Sequence, residues 1–482
     1  MFQYSLLKDD DIQTLGEAAT RVLEKVGIFC QSREILDALA QNGAKVDYTS
    51  EKAFFPEWMV NELIDEVRKE NQATELFREE KYGIPSSELF KAGNFGKPSL
   101  PDLGTQVAQF TYDYAEDQRR SGNKKDFIKL IKLGNVLHPE SVGHSLLLTD
   151  VHPMVEPLEA ALLLAEYADN PAPAFAWNVR QVDYLREMGE VIGILDWFTW
   201  GAVCFSHPLR FDKDVADRFV QMAKTGYGVG LTAMPVAGVT TPITVAGFIA
   251  VASAEIIATW IAGRALNPET PLGGSIWGGS MDMRTGEVSY CSFDAMLYSF
   301  ALSEFLRKWT GKFIHIGGGE YCDAKKPGYY AAMEKAYKAM TIAAFTGIHP
   351  SIGSGMLEEG KTLCPVQLLL EREMGIGVQF FGREVEVSSE SIDLESIIDV
   401  GAGFTKSYLE TELTLHHFGD NIWCPKIMDR SGWNGAETDS MVLQKLQNEV
   451  YELLANYQKP EVDPDKLRKM RSIIQKAQKA LS

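Results

Sequence analysis

The sequence predicts an α/β fold: a (β/α)8 TIM barrel with a helical amino-terminal extension and a mostly helical carboxyl-terminal extension. Three observations predict it. Short apolar runs alternate with longer amphipathic segments eight times between residues 106 and 381. Strand–helix–strand repetition of this kind requires parallel strands joined by right-handed crossovers. The stretch covers 276 positions, close to the usual size of a closed barrel. No dinucleotide-binding glycine fingerprint follows the first apolar run, which argues against a doubly wound sheet.

Residues 1–105 read as a separate, helical region with a covering loop. Over 11–26, apolar residues fall at Ile12, Leu15, Ala19, Val22, Leu23 and Val26, which is helical spacing, and Gly27 ends the run. A second helix covers 34–41 and stops at Asn42-Gly43. Pro56 opens a third, where its missing N–H costs nothing. The stretch 75–101, rich in glycine, proline and charge, reads as a loop or hairpin.

Within 106–381 the strands are expected at 107–111, 142–148, 174–178, 198–205, 229–234, 271–276, 313–316 and 347–352. The helices between and after them are expected at 124–137, 156–167, 182–192, 212–225, 244–265, 293–310, 329–345 and 366–380. After Gly382 the alternation stops. In 382–482, residues 384–387 read as an added strand, 394–400 as a short helix and 438–457 as a long one. A basic helix over 466–481 follows Pro460 and Pro464. This tail either covers one barrel end or builds a subunit contact. With the very apolar fifth helix, it leads to the expectation of a homo-oligomer.

Bulk properties narrow the function. The chain carries 47 basic and 66 acidic residues, a formal net charge of −19, which argues against nucleic acid or an anionic membrane as partner. Six cysteines lie far apart, and the start MFQYSLLKDDD lacks a basic region followed by an apolar one; both point to a reducing cytoplasm. Residues 243–262 have the length of a membrane span. Glu255 near the centre, with the alanine and serine content of the stretch, fits a helix buried against protein better.

In a barrel the active site lies at the carboxyl ends of the strands. Trp177, Asn178 and Arg180 follow the third strand, and His207 the fourth. Trp277, Gly278 and Gly279 follow the sixth, and the run GGGEYCD, with Gly318, Gly319, Glu320 and Tyr321, the seventh. His349 lies in the eighth and Gly355 beyond it. The glycines let backbone approach a large planar ligand closely, or they are simply tight turns. Trp177 and Trp277 either box a methylated ammonium or pack the strand-end loops. His207 and His349 are either structural or ligand contacts. Glu320, a carboxylate among glycines, is costly to bury unless a cation, donor or water meets it, which favours a functional role. No nucleophile elbow is visible. His315 and Cys322 are seven apart and His416-His417 adjacent, so no metal is expected to be bound directly.

At these residues the chain resembles the trimethylamine methyltransferase superfamily, in its branch without pyrrolysine. The likeness lies in VLEKVGI, LAQNGAKVD and FPEWMV near the start, and in MPVAGVTTPITVAGFIAVASAEIIA and the glycine-rich strand ends in the middle. TELTLHHFGDNIWCPKIMDRSGW carries it near the end. The resemblance implies a barrel methyltransferase working with a separate corrinoid protein whose cobalamin-type cofactor accepts the methyl group. Trimethylamine enzymes of the family carry pyrrolysine; this chain contains only the standard twenty residues. The branch without it is associated with quaternary amines such as glycine betaine, proline betaine and carnitine.

What the resemblance implies for the residues is then an in-line displacement at an N-methyl carbon. Trp177 and Trp277 would surround the methyl groups, with Asn178 and Tyr321 beside them, and Glu320 would give electrostatic help. Arg180, His207 or His349 would hold a substrate carboxylate. Gly278, Gly279, Gly318, Gly319 and Gly355 would face the docked corrinoid. Two other classes stay open on the residues alone: a barrel lyase or hydrolase using Glu320 with a histidine, and a non-catalytic betaine-binding protein.

Overall fold

The computed structural model describes residues 5–82, 99–317, 319–346, 350–383, 385–428, 430, 433 and 438–481, with backbone alone over 73–82. His349 and Gly318 lie outside the described residues.

Local sequence sets the helix ends. Asn123 accepts from the Asp126 N–H (3.1 Å) and starts Lys124–Leu137; Thr244 accepts from the Gly247 N–H and starts Val245–Leu266. Pro365 occupies the first position of Pro365–Phe381. Gly193 and Gly311 take φ of 89° and 75° to end Val182–Ile192 and Phe293–Thr310, left-handed positions that favour glycine.

The extended segments between these helices neighbour one another in chain order. Ala108 bridges Leu146 and Val142 bridges Pro171, both in parallel. Ala174–Ala176 pairs in parallel with Phe198–Trp200. The Thr232 N–H then donates to the Val203 carbonyl at 2.7 Å. Val229–Ala233 pairs with Leu272–Ile276, and that with His315–Ile316, again in parallel. Gly319 bridges Ile352. Beyond Ile352, the hairpin Met356–Leu357/Thr362–Leu363 pairs in parallel with Phe110–Asp113, which follows the first segment.

Two large apolar clusters flank this array. One joins the amino-terminal helices to Val245–Leu266 and Phe293–Thr310; the other joins Lys124–Leu137, Glu156–Tyr167 and Val182–Ile192 to the closing helix Pro464–Leu481. The Val245–Leu266 helix is long and apolar enough to cross a membrane, and most of it is buried inside the protein. Its Glu255 is fully buried and accepts from the Leu209 N–H (2.7 Å) and from His207 Nδ1 (2.8 Å).

Several elements differ from expectation. Ile28–Cys30, Lys45–Asp47 and Lys52–Phe54 form a small antiparallel sheet, extended in parallel by Arg210–Phe211, where only helices were expected. The third helix, Glu57–Tyr82, runs into the expected loop. Residues 385–387 are not in a strand, Glu384 lying outside the described residues, and Glu412–Asn421 is an additional helix.

Candidate active site

A cavity of about 440 Å³ opens where the carboxyl ends of the parallel segments meet residues 99–107. That is within the range of small-ligand sites, roughly 300–1,000 Å³. Two aromatic pairs line it. Phe175 and Trp177, two residues apart on an extended segment, point the same way and stack with centroids 5.4 Å apart and planes at 7°. Trp277 and Tyr321 lie 4.8 Å apart at 45°.

Each wall is held from behind. The Trp177 indole N–H donates to Glu156 Oε2 (3.1 Å), while Glu156 Oε1 accepts from the Leu148 N–H (3.1 Å) and from His144 Nε2 (3.0 Å). Trp277 Nε1 donates to Ser275 Oγ and Gln106 Nε2 to the Tyr321 hydroxyl, both at 3.1 Å. A Cβ on Gly317 would stand 2.1 Å from Trp277 Cδ2, and one on Gly360 2.3 Å from Tyr321 Cε1. The rings lie directly on backbone.

Glu320 also lines the cavity. Burial pushes its carboxyl above the usual carboxylate range, while Lys338 and Lys335 pull it back. Lys338 is buried on the helix Tyr329–Thr346. Its Nζ donates to the Tyr290 carbonyl (2.6 Å) and lies 5.9 Å from the Trp277 ring centroid. Burial lowers the Lys338 pKa, and Glu320 opposes that shift. Ser354 lines the cavity, and its Oγ is buried with no hydrogen-bond partner among the described residues.

The structure thus brings Trp177, Trp277, Glu320 and Tyr321 together. Asn178 is used locally: its side chain accepts from the Arg180 N–H (3.0 Å) and starts a short 3-10 turn. Arg180 is exposed and lines a separate cleft with Arg186. His207 is engaged at both nitrogens, since Nε2 accepts from the Met234 N–H (3.1 Å) and the proton on Nδ1 goes to Glu255. It positions Met234, which lines the cavity, rather than lining it itself.

The glycine expectation needs correction. Gly278, Gly279, Gly319 and Gly355 are all buried against their own chain. Their missing side chains make room for Ser299 and Phe248, Tyr290, Ala339, and Leu368, respectively. Tight internal packing, rather than a flat outer face, explains those four residues.

The sequence reading missed two cations. Lys338 is one. The other is Arg218, on Lys213–Lys224, which is 8% exposed and stands behind the cavity wall at Gly201 and Ala202. A Cβ on Gly201 would be 2.6 Å from Arg218 Nη1 and 3.1 Å from Trp177 Cε3. Its Nη2 donates to the Ala202 carbonyl (3.3 Å), its buried Nε has no hydrogen-bond partner among the described residues, and burial lowers its pKa. A charged residue on an otherwise apolar helix stripe, such as Arg218 beside Ala216, Phe219 and Val220, is the one signal that could have flagged it, though not its place beside the cavity.

Residues 1–482 match the family model described as trimethylamine methyltransferase (MTTB). The chain belongs to that family. Among its relatives is trimethylamine methyltransferase MttB2 of Methanosarcina mazei, 24% identical over 99% of this chain and 96% of that protein. The trimethylamine methyltransferase MttB of Desulfitobacterium hafniense is 22% identical over 98% and 93%. The glycine betaine methyltransferase of Desulfitobacterium hafniense is 20% identical over 98% and 97%. As a member of the trimethylamine methyltransferase family, this chain is an enzyme of the methyltransferase class, and its sequence contains no pyrrolysine.

Proposed function

We propose that this enzyme takes a methyl group from a small quaternary ammonium compound of betaine type and passes it to a corrinoid protein. We further propose that its eight parallel segments close as a (β/α)8 barrel with the cavity at their carboxyl ends. The observation that carries the reading is one cavity of small-ligand size combining two aromatic walls with the buried carboxyl of Glu320. Full-length similarity to a glycine betaine methyltransferase supports it.

The chemistry is consistent with those residues. A quaternary nitrogen leaves as a neutral tertiary amine, so no general acid is needed at the leaving atom. The corrinoid arrives on its own protein as the second substrate and supplies a nucleophilic cobalt. A cavity of about 440 Å³ accommodates the amine but not a corrin ring, so the acceptor must approach from the mouth.

Positive charge on nitrogen fades as the bond breaks, so gripping the cation hard would favour the ground state over the transition state. Trp177 and Trp277 therefore act mainly by orienting an N-methyl group and excluding water. Glu320, ionised once a cation sits beside it, steadies the bound ammonium. A substrate carboxylate would lie against the Gly201–Ala202 wall, behind which Arg218 stands as a buried cation.

The test is a panel of quaternary amines with chemically reduced cobalamin, following the absorbance change on methylation. Methylation with at least one carboxylate-bearing quaternary amine is expected. Turnover with trimethylamine alone, or with none of the panel, would overturn the proposal.

A further inference from the structure

A second group of acids lies near the amine cavity. Cys291 precedes the helix Phe293–Thr310, Asp323 follows Tyr321, and Glu359 stands in the hairpin beyond Ile352. One ligand atom of each lies within 4.8 Å of the other two. Cys291 Sγ is 3.6 Å from Glu359 Oε1. Glu359 is 9% exposed, and its buried Oε2 makes no hydrogen bond of good geometry among the described residues.

Two carboxylates thus face each other beside a buried thiol. Like charges this close in a low-dielectric setting need either a proton or a cation between them. Lys338 is the nearby cation, but its Nζ donates to the Tyr290 carbonyl. It does not bridge the acids.

We propose that Cys291, Asp323 and Glu359 bind a divalent transition-metal cation of the zinc class through one thiolate sulfur and two carboxylate oxygens. The sulfur selects against magnesium and calcium, which prefer all-oxygen shells. Ideal tetrahedral coordination sets ligand atoms roughly 3.4–3.6 Å apart, so side-chain rotation alone can close the site. Binding expels the thiol proton and one carboxyl proton to solvent. The cluster carries one net negative charge before and after, two positive charges then facing three negative ones. Three protein ligands leave one position open.

The cation would join the loops that follow three neighbouring strand ends. It would also sit behind Tyr290, whose ring is 6.0 Å from that of Tyr321 in the cavity wall. This site is independent of the amine reading, so either can fail alone.

The experiment strips the full-length protein with a chelator and titrates it with cobalt(II), reading absorbance. Uptake of a single equivalent with a thiolate-to-cobalt band in the near ultraviolet, displaced by zinc, is expected. Cys291→Ser should lose that band, and Glu359→Gln, which preserves shape, should weaken uptake more than about tenfold. No uptake, or uptake unchanged in Glu359→Gln and Asp323→Asn, would mean a shared proton only and overturn the proposal. Should Cys291→Ser not fold, the two carboxylate variants decide the matter.

Discussion

At Glu320 a carboxyl lies in a cavity that suits a cation, and its electrostatics can be read out directly. Its folded-state pKa is raised by burial, so the empty site holds the proton to higher pH than free glutamate does. On the proposed reading a proton on Glu320 competes with a cationic amine, and KM should rise as pH falls through the raised pKa. In Glu320→Gln the KM should be higher and flat with pH; steady-state kinetics at several pH values check this. The same shift favours the folded state below the ordinary carboxyl pKa, and that advantage is lost as pH rises through the raised value. Trp277→Ala should lower kcat more than it raises KM, because the ring orients the N-methyl group; the KM rise should stay within roughly three- to thirtyfold, the worth of a cation–π contact of about 0.5–2 kcal/mol. Arg218→Met separates the two ends of the substrate. KM for a carboxylate-bearing quaternary amine should rise up to about tenfold, about 1.4 kcal/mol of charge attraction acting through the wall. KM for tetramethylammonium should not change. Trp177, Trp277, Glu320 and Tyr321 were legible because strand ends can be found from periodicity alone. Arg218 and Lys338 were not, because they reach the site from helices, and only folding brings a helix face to a strand end.

At the scale of elements, helices were read more sharply than strands. Lys124–Leu137, Glu156–Tyr167, Val182–Ile192 and Phe293–Thr310 match the sequence reading at both ends, since local features set them: the Asn123 cap on the first, Pro157 in the first turn of the second, and left-handed Gly193 and Gly311 after the last two. Strand lengths depend on distant partners instead. The segment expected at 142–148 makes only single bridges at Val142 and Leu146, and the first sheet, built on Ile28–Cys30, was missed altogether. Gly317 shows why one element needs a particular residue. Gly317→Ala would drive a methyl group into the Trp277 indole. A destabilisation of about 1–3 kcal/mol in a denaturant melt is expected, together with a higher KM, because the wall must retreat into the cavity.

At the scale of the molecule, Glu255 ties the most apolar helix to the site. Its carboxylate accepts from His207 and Leu209, and His207 in turn accepts from Met234 at the cavity. Replacing it by alanine leaves two buried donors unmatched and should cost about 1–3 kcal/mol each in chemical denaturation. Glu255→Gln should recover part of that loss. The charge that weighed against a membrane span in the sequence is, in the fold, the link between outer helix and inner cavity.

Glu156 leaves a further consequence. By taking donors from Trp177, Leu148 and His144 at once, it bolts the tryptophan to the end of the neighbouring segment. A guest molecule pressing on that indole pushes against two loops rather than one side chain. Swapping N-methyl for N-ethyl groups should therefore be resisted by stiffness, and the enzyme would tell its donors apart by bulk before any bond is broken.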